Sequence, residues 1–405
     1  MKKIIIVFSI FASLAAISCS NPDTGNVPVI IPPVVPVEPE NPVQPETPTT
    51  TQPETPAQPA TPAQPEQPQT PVAYSAGDSA RANITFDGVT YSKTGEVYVT
   101  GPNGVTITGA AYTNNYIGVF IEGRTVTLSP YIMGKYEVTQ QLYTAVMTNQ
   151  TVTVDGTEYT LAASPFYSTE NGNNPKATTD TQNLRPAEYI TWYDAVYFCN
   201  KLSEKMNLTP AYNITITALR TDNPSGHITA ATVTIVPYAN GYRLPTEAEW
   251  EFAARGGNQS TTAWNYTFSG AATAEDTSYY AIRNTGLDLV GWYFYNLGDG
   301  TTKQNHISLG TAGYGTHEVG KKEENALHIF DMSGNVCEWC YDWAEDDFAI
   351  GNVTNPMGAE SGSYRIQRGG AWGSNADHCS VCERNSRMPN QLGHSNGFRV
   401  VRNAN

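Results

Sequence analysis

Two pairs of cysteines in the C-terminal third of the sequence have the spacing of a metal site. Cys337 and Cys340 form one CxxC group, and Cys379 and Cys382 form a second. Four thiolates in two such groups are typical of a structural zinc ion. The same residues could instead be paired in disulfides or remain buried thiols. Disulfides are the better expectation for an exported protein, because the compartments outside the cytosol are oxidising.

The N-terminus has the features of an export signal. Two lysines precede a short apolar stretch, Ile4 to Ile17, which is too short to span a bilayer comfortably. The small residues before Cys19 resemble a bacterial lipoprotein cleavage box, which implies cleavage before Cys19 and acylation of that residue. Residues 1–18 are therefore interpreted as a lipoprotein signal peptide, and the acyl chains at Cys19 would attach the protein to a membrane. An ordinary secretory signal with an incidental cysteine remains the alternative.

Residues 19–72 are interpreted as a proline-rich stalk. The stretch from residue 21 to residue 71 contains 16 of the 27 prolines. Proline fixes φ and lacks a backbone donor, so this segment favours extended polyproline II over helix or sheet. The whole chain has a formal net charge of -15. We expect no nucleic-acid partner, because there is no basic surplus to neutralise phosphates.

Residues 73–405 have the composition of a globular domain. Short runs rich in β-branched residues predict strands at 84–86, 95–99, 105–107, 117–121 and 125–128. Capping residues predict three helices, which cover 139–147, 191 to about 206, and a stretch that begins at Thr246. Cys199 lies on the apolar face of the second helix and is most simply a core residue. Beyond residue 257 the composition predicts irregular structure.

Four segments together resemble the formylglycine-generating enzyme (sulfatase-modifying factor) family. They are Met133–Thr139, Gly241–Glu251, Asp331–Trp339 and Arg368–Trp372, with a close at Gly397–Arg399. They occur in family order across residues 122–405, which we take as the family core. The resemblance implies an α+β, C-type-lectin-like fold with few helices, small twisted sheets and much irregular loop.

The family contains both enzymes and non-enzymes, so the fold does not settle the function. Oxidase members hold copper with two cysteines five positions apart, and soft thiolates suit Cu(I). Counting from Gly370 places the first position on Cys379 and the second on Arg384. The two-cysteine pattern is therefore not matched, and we expect no catalytic residues.

The resemblance also implies a structural calcium ion. Asp331, Gly334, Val336 and Glu338 overlay the residues that hold calcium in the family. Two carboxylates and two backbone carbonyls would suit a hard cation. Because the carbonyl positions need no particular side chain, only the two acidic residues test the match. The alternative for Glu338 is that it caps a turn.

The segment at residues 371–396 is polar, varied and flanked by family framework. A polar segment on a rigid scaffold is a common way to carry binding specificity. Within the family, the chain resembles the lipoprotein variable proteins of diversity-generating retroelements, of the Treponema variable protein type. In these proteins, the codons of a C-terminal segment of this kind are rewritten at adenine bases. Many residues here can be reached from Asn codons by adenine changes, although Glu383 cannot.

The candidate ligand-binding residues all lie in this segment. Trp372 would be a flat apolar anchor, although a role in the framework core is the alternative. The polar residues would be adaptable hydrogen-bonding groups. They are Ser374, Asn375, Asp377, His378, Ser380, Asn385, Ser386, Asn390 and His394.

These features predict a lipid-anchored protein outside the cytoplasm, at the outer membrane and the cell surface. Its head would bind an external protein or glycan. The alternatives are a formylglycine-generating-type oxidoreductase acting on a peptide cysteine and a structural envelope lipoprotein.

Overall fold

The computed structural model describes residues 73–111, 118–169, 173–271, 283–298 and 311–404. The predicted signal peptide, Cys19 and the predicted stalk lie outside these ranges. The helices are α1 (Gln140–Met147), α2 (Trp192–Lys205), α3 (Glu247–Ala254) and α4 (Thr285–Val290). Every helix in the described ranges is too short or too polar to cross a membrane.

The described strands are short. They are β1 (Ser79–Arg81), β2 (Ile84–Phe86), β3 (Val89–Tyr91), β4 (Glu96–Tyr98), β5 (Val105–Thr108), β6 (Arg124–Leu128), β7 (Tyr131–Gly134), β8 (Thr151–Val154), β9 (Thr157–Thr160), β10 (Tyr212–Leu219), β11 (Ile228–Ile235), β12 (Cys337–Trp343), β13 (Gly351–Thr354), β14 (Arg365–Arg368), β15 (Arg384–Arg387), β16 (Asn396–Gly397) and β17 (Val401–Asn403). The mixture of short helices and small sheets confirms the α+β class.

The three predicted helices are confirmed, and each begins at a capping side chain. The hydroxyl of Thr139 accepts a hydrogen bond from the first turn of α1. Thr191 and Asp194 form a reciprocal capping box at α2, with both hydrogen bonds at 3.0 Å. Thr246 and Glu249 form a second box at α3. These side chains satisfy backbone donors that have no partner within the helix, so the sequence signal is also the physical cause.

Four of the five predicted strands are confirmed, and the one at residues 117–121 is wrong. Residue 117 lies outside the described ranges, and only Ile121 forms an isolated bridge, with Ala110. The reason is a side chain that takes a backbone hydrogen bond needed for strand pairing. The carboxylate of Glu251 accepts the backbone N–H of Val119 at 2.8 Å, which takes that donor from any neighbouring strand.

The sequence analysis missed a long hairpin and underestimated the order beyond residue 257. Strands β10 and β11 pair antiparallel over eight residues each, from Tyr212↔Ile235 to Leu219↔Ile228. Alternation of isoleucine and threonine along β10 was a usable signal for a half-buried strand. Strands β12 to β17 were not predicted because most are only two to four residues long.

Two four-stranded sheets organise the domain. One has the order β1-β4-β7-β17, and the other has the order β15-β14-β12-β16. Strand β17 pairs antiparallel with β7, and β16 pairs parallel with β12. The last described strands therefore complete both sheets. A three-stranded sheet, β13-β6-β5, and three hairpins accompany them.

The apolar core has two main parts. The first surrounds α1 and α2, where Tyr143 stacks on Phe198 with ring centroids 5.3 Å apart and Phe398 packs against both. Cys199 is completely buried in this part, as predicted. The second part surrounds α3, with Trp250 at its centre. The domain also contains buried charged groups, which must be neutralised by partners within the fold.

Arg399 and Glu338 form a completely buried ion pair. Nε and Nη2 of Arg399 each lie 2.6 Å from a carboxylate oxygen of Glu338. The indole of Trp250 donates to the same carboxylate at 2.8 Å. Burial alone would lower the pKa of Arg399, but Glu338 and the nearby carboxylates raise it above its ordinary value. The guanidinium also donates to the backbone oxygen of Gly134 and so ties β12, α3 and β7 to the C-terminal strands.

A second group of buried charges, here called the arginine cluster, lies beside α3. Its members are Arg255, Arg368, Arg384, Glu247 and Glu251. Glu251 bridges Arg255 at 2.9 Å and Arg368 at 2.6 Å. Glu247 binds both nitrogens of the Arg384 fork, at 2.7 and 2.9 Å.

Replacing Arg399 by methionine should destabilise the fold by about 3–5 kcal/mol, because Glu338 would remain buried without its partner. Urea denaturation measures the free energy of unfolding. The matched control is Lys201→Met, because Lys201 and Glu204 form an exposed ion pair at 2.9 Å and its loss should cost less than about 1 kcal/mol. Equal effects of the two variants would contradict this account of the buried pair.

Candidate functional site

The C-terminal segment, residues 371–396, is held to the framework along much of its length. It contains a short 3-10 turn at Asp377–Cys379 and the strand β15. Strand β15 pairs antiparallel with β14, from Arg365↔Arg387 to Arg368↔Arg384. The sequence analysis predicted no strand in this segment, but its middle is the edge strand of a four-stranded sheet. Its exposed side chains are therefore presented from a fixed backbone.

The predicted binding residues differ in their exposure. His378 and Asn390 are exposed. Half-buried positions are Ser374, Asn375, Asp377, Asn385, Ser386 and His394. The eight residues that remain accessible come from the turn, from β15 and from the stretch after it.

Two of the predicted contacts are wrong, because Trp372 and Ser380 are buried, at 3% and 0% exposure. The indole of Trp372 donates to the backbone oxygen of His394 at 3.1 Å. It therefore closes the two ends of the segment on each other and is not an exposed anchor. Ser380 is enclosed at the end of the 3-10 turn, where its hydroxyl accepts from the backbone of Cys382. Both residues support the segment from within.

Three tyrosines from other parts of the chain meet this segment. Tyr167 lies 5.6 Å from Tyr189 and 5.4 Å from His394, measured between ring centroids. His394 lies 5.4 Å from Trp372, which meets Tyr314 edge-on at 5.1 Å. We call these five residues the aromatic arc. Apart from Trp372, its members are half-buried, so their rings remain partly accessible.

A buried carboxylate holds the backbone next to two tyrosines of the arc. Glu188, which precedes Tyr189, is completely buried and accepts the backbone N–H of Ser168 at 2.7 Å. Burial raises the pKa of Glu188 to about 8, against the hydrogen bonds from the 167–168 turn and the charge of Arg185. Burial also lowers the pKa of His394, and the charge of Arg387 adds to this effect. At neutral pH His394 is therefore a neutral ring suited to stacking and hydrogen bonding.

The sequence analysis missed Tyr167, Tyr189 and Tyr314. Each is separated from the C-terminal segment by tens to hundreds of residues, and no spacing rule joins them. The chain brings them together through backbone contacts, such as the hydrogen bond from Tyr189 N to Gly393 O at 3.1 Å. Only the tertiary structure reveals that these residues share a surface.

Comparison with known families gives a direct result. Residues 89–404 match the model of the sulfatase-modifying factor enzyme 1-like domain. The chain belongs to this family. The match begins before residue 122, where the sequence motifs had placed the start of the family core, and so includes strands β3 to β5.

Relatives within this family have different names. The chain is 35% identical over 282 residues to a protein named chaperone protein LppX from Paenibacillus barcinonensis, covering 69% of this chain and 82% of that protein. It is 31% identical over 177 residues to the formylglycine-generating enzyme of Thermomonospora curvata, covering 41% of this chain and 52% of that enzyme. The second match spans only about half of its relative.

Solved structures show the same fold. The variable protein 1 of Treponema denticola superimposes with a TM-score of 0.57 at 31% identity, covering 82% of this chain and 99% of that one. PvdO from Pseudomonas aeruginosa superimposes with a TM-score of 0.50 at 18% identity over 82% of this chain and 100% of that one, and it supports the fold alone. The C-type-lectin-like fold and the resemblance to the variable proteins are both confirmed.

Of the two positions that resemble the oxidase pair, the first holds Cys379 and the second holds Arg384. At the position of the second cysteine, Arg384 is paired with Glu247 in the arginine cluster. Cys379 is completely buried, and its thiol lies 3.6 Å from the backbone oxygen of Asn375. These contacts give both residues a role in holding the C-terminal segment.

The four cysteines at 337, 340, 379 and 382 are buried thiols, so the expectation of disulfides is corrected. Cys340 and Cys382 both belong to the second core part, among apolar side chains. In the described ranges, no group of three or more His, Cys, Asp or Glu side chains has a geometry that could hold a metal ion. The CxxC spacing therefore does not bring four thiolates together.

The residues predicted to bind calcium are only partly suited to hold the ion. Glu338 does not fit, because both of its oxygens are bound to Arg399 and one also accepts from Trp250. Glu338 does not cap a turn either, since it lies within β12. Asp331 fits better: one oxygen accepts from Gly320 N at 2.7 Å, and the other is buried with no hydrogen-bond partner. Burial raises the pKa of Asp331 to about 6.

The calcium site therefore stays a prediction that rests on Asp331 and on the backbone carbonyls of Gly334 and Val336. Calcium would satisfy the unpaired oxygen of Asp331 and stabilise the folded state by mass action. We expect added calcium to raise the melting temperature of the EDTA-treated protein and to leave that of Asp331→Asn unchanged. An equal response of both proteins, or no response of either, would remove this site.

Proposed function

We propose that this protein is a surface-displayed lipoprotein that binds an external ligand, a protein or a glycan, through its C-terminal segment and the aromatic arc. One observation carries the proposal: accessible polar side chains of a pinned segment lie beside half-buried aromatic rings that come from three other parts of the chain.

The geometry supports binding because the surface is rigid before the ligand arrives. Strand β15 is paired along its whole length, and Arg384 anchors it to α3 through Glu247. The conformational entropy lost in ordering a flexible loop would oppose binding. Here the strand is already ordered in the folded protein, so that entropy is not lost on binding. The surface also combines ring faces with hydroxyl and amide groups, which is the composition of recognition surfaces.

The location of the protein is a proposal of its own. A lipid at Cys19 would hold the chain on a membrane, and residues 19–72 would separate the head from it. The match to variable protein 1 of Treponema denticola over 99% of that chain supports the shared scaffold on which this proposal rests.

A chaperone role is the second candidate. The relative named chaperone protein LppX matches over 82% of its own length at 35% identity. The same surface could hold an exported client protein, which would be a form of protein binding. An oxidoreductase role has less support, because Arg384 occupies a cysteine position. A purely structural envelope role would not explain the accessible arc.

We further propose that the segment at 371–396 is diversified by a retroelement. The buried pairs of Arg368 and Arg399 lie outside the segment, so changes at its accessible polar positions would leave those two pairs intact. Sequencing of the locus should reveal a reverse transcriptase gene and a template repeat that matches the codons for 368–402 except at adenines. A locus without such a repeat would leave a binding surface of fixed sequence.

Substitution of the arc should weaken binding without unfolding the head. The full-length protein is screened against a glycan array and a panel of extracellular proteins, and each hit is titrated with variants. Tyr167→Ala and Tyr314→Ala should each weaken binding by about tenfold or more, because aromatic anchors dominate interface energies. Tyr238→Ala is the matched control, since Tyr238 is 94% exposed and makes no contact with the arc.

Binding that is equally weakened by all three variants would place the ligand elsewhere. A full-length protein that binds no member of either panel would contradict the proposed function.

A further inference from the structure

Two arginines on neighbouring strands of the sheet β15-β14-β12-β16 have no acidic partner. Arg365 on β14 and Arg387 on β15 lie directly opposite each other in the antiparallel register. Side chains opposed in this way share one face of the sheet, and like charges in such a pair repel each other. Within the described ranges, neither guanidinium forms an ion pair with a carboxylate. The pair therefore places two positive charges side by side, in contrast to the arginine cluster.

Arg365 is stabilised by aromatic rings instead of by an acid. It is 4% exposed, and its guanidinium carbon lies 3.8 Å from the ring centroid of Trp192 and 3.5 Å from that of Trp343. Nη1 donates to the backbone oxygen of Tyr341, whereas Nε is buried with no hydrogen-bond partner. Burial lowers the pKa of Arg365 to about 10, so it stays charged at neutral pH. The rings attract the cation but supply no negative charge to balance it.

Arg387 is the accessible member of the pair. It is half-buried, and its Nη1 donates to Oδ1 of Asn396 at 3.0 Å. A guanidinium has five N–H donors, and that of Arg387 makes this one hydrogen bond within the described part of the chain. Nδ2 of Asn396 is a further buried donor with no partner there. Donors thus exceed acceptors around Arg387, which favours an anionic ligand.

Arg387 lies next to the aromatic arc. Its partner Asn396 follows His394 by two residues, and the charge of Arg387 contributes to the lowered pKa of His394. His394 is the central member of the arc. A Cβ atom at Gly393 would lie 2.7 Å from Nη1 of Arg387, so the absence of a side chain there lets the guanidinium approach this turn. A ligand on the ring of His394 is therefore within reach of Arg387.

We propose that the aromatic arc takes an acidic glycan and that Arg387 binds the carboxylate or sulfate group of that glycan. This inference rests on the proposed function and narrows its ligand class. The planar fork of a guanidinium matches two oxygens of either acidic group. The C–H face of a sugar ring packs against half-buried aromatic rings, as in other sites lined by aromatic side chains with a few placed polar groups.

The extent of the surface favours a glycan over a protein. A stable protein–protein interface takes about 20–30 residues from each partner. The accessible candidate residues of the segment and the rings of the arc together are fewer than that. A short oligosaccharide needs a smaller contact surface, and its acidic group would supply the negative charge that Arg365 and Arg387 lack within the fold.

The test uses the full-length protein and an array of oligosaccharides that carry carboxylate or sulfate groups, each beside its carboxyl-reduced or desulfated form. We expect the protein to bind at least one acidic form about tenfold or more tightly than its neutral counterpart, because hydrogen bonds to charged groups are stronger than those to neutral groups. Comparison of the carboxyl-reduced and desulfated forms shows which acid is recognised.

Arg387→Gln should bind the acidic and neutral forms of that glycan with similar affinity, and Arg387→Lys should recover part of the difference. Because Arg387 leaves no buried carboxylate behind, Arg387→Gln should keep the melting temperature of the wild type. Arg220→Gln is the matched control. Arg220 follows β10, is half-buried and lies 3.6 Å from a carboxylate oxygen of Asp222, so its loss should leave the preference for the acidic form unchanged.

The inference is overturned if acidic and neutral forms bind equally, if the preference survives in Arg387→Gln, or if the protein binds only neutral glycans or proteins. In the last case Tyr167→Ala still weakens binding, so the proposed function stands while this inference fails. A full-length protein that binds neither glycans nor proteins contradicts both.

Discussion

Buried guanidinium–carboxylate pairs are the constraint on which this structure depends. A buried charge without a partner costs several kcal/mol, so three arginines of the C-terminal part each need a carboxylate within the closed core. Arg368, Arg384 and Arg399 all come from the last 40 residues, and their partners lie on α3 and β12. These pairs fix the C-terminal part of the chain in place without reference to the residues between them. The fold thus separates the groups that hold the segment from the groups that the segment presents.

This separation would allow one scaffold to carry different surfaces. Trp372 and Ser380 are buried and make hydrogen bonds to other residues of the segment. His378 and Asn390, by contrast, are exposed. The three tyrosines of the aromatic arc come from outside the segment, so part of the surface would stay constant if the segment varied. Under the proposed function, the three tyrosines would supply general affinity and the polar side chains of the segment would supply adjustable specificity.

The sequence was informative wherever a local physical rule acts. Helices α1, α2 and α3 begin at side chains that cap them, and those caps can be read directly from the residues. The family motifs also predicted the fold, because they are the sites of the buried charges and tryptophans. The hairpin β10–β11 shows the opposite case: its alternation was present in the residues but was not used.

Other features could not have been predicted from spacing. The strand expected at 117–121 does not form because Glu251, more than a hundred residues away, takes a backbone donor. Glu338 was a reasonable calcium ligand until Arg399 was seen to occupy its oxygens. The paired CxxC groups resembled a zinc site, yet the fold places Cys340 and Cys382 in an apolar core. In each case a long-range contact, absent from any local pattern, decides the outcome.

The pairing of β17 with β7 has a consequence for biogenesis. Arg399 donates to Gly134 across a separation of 265 residues, and the sheet that starts at β1 is completed only by β17. During vectorial synthesis, the early strands must therefore wait, with an open edge, for most of the domain to emerge. Such delayed closure leaves that edge exposed to aggregation until the last strand is made.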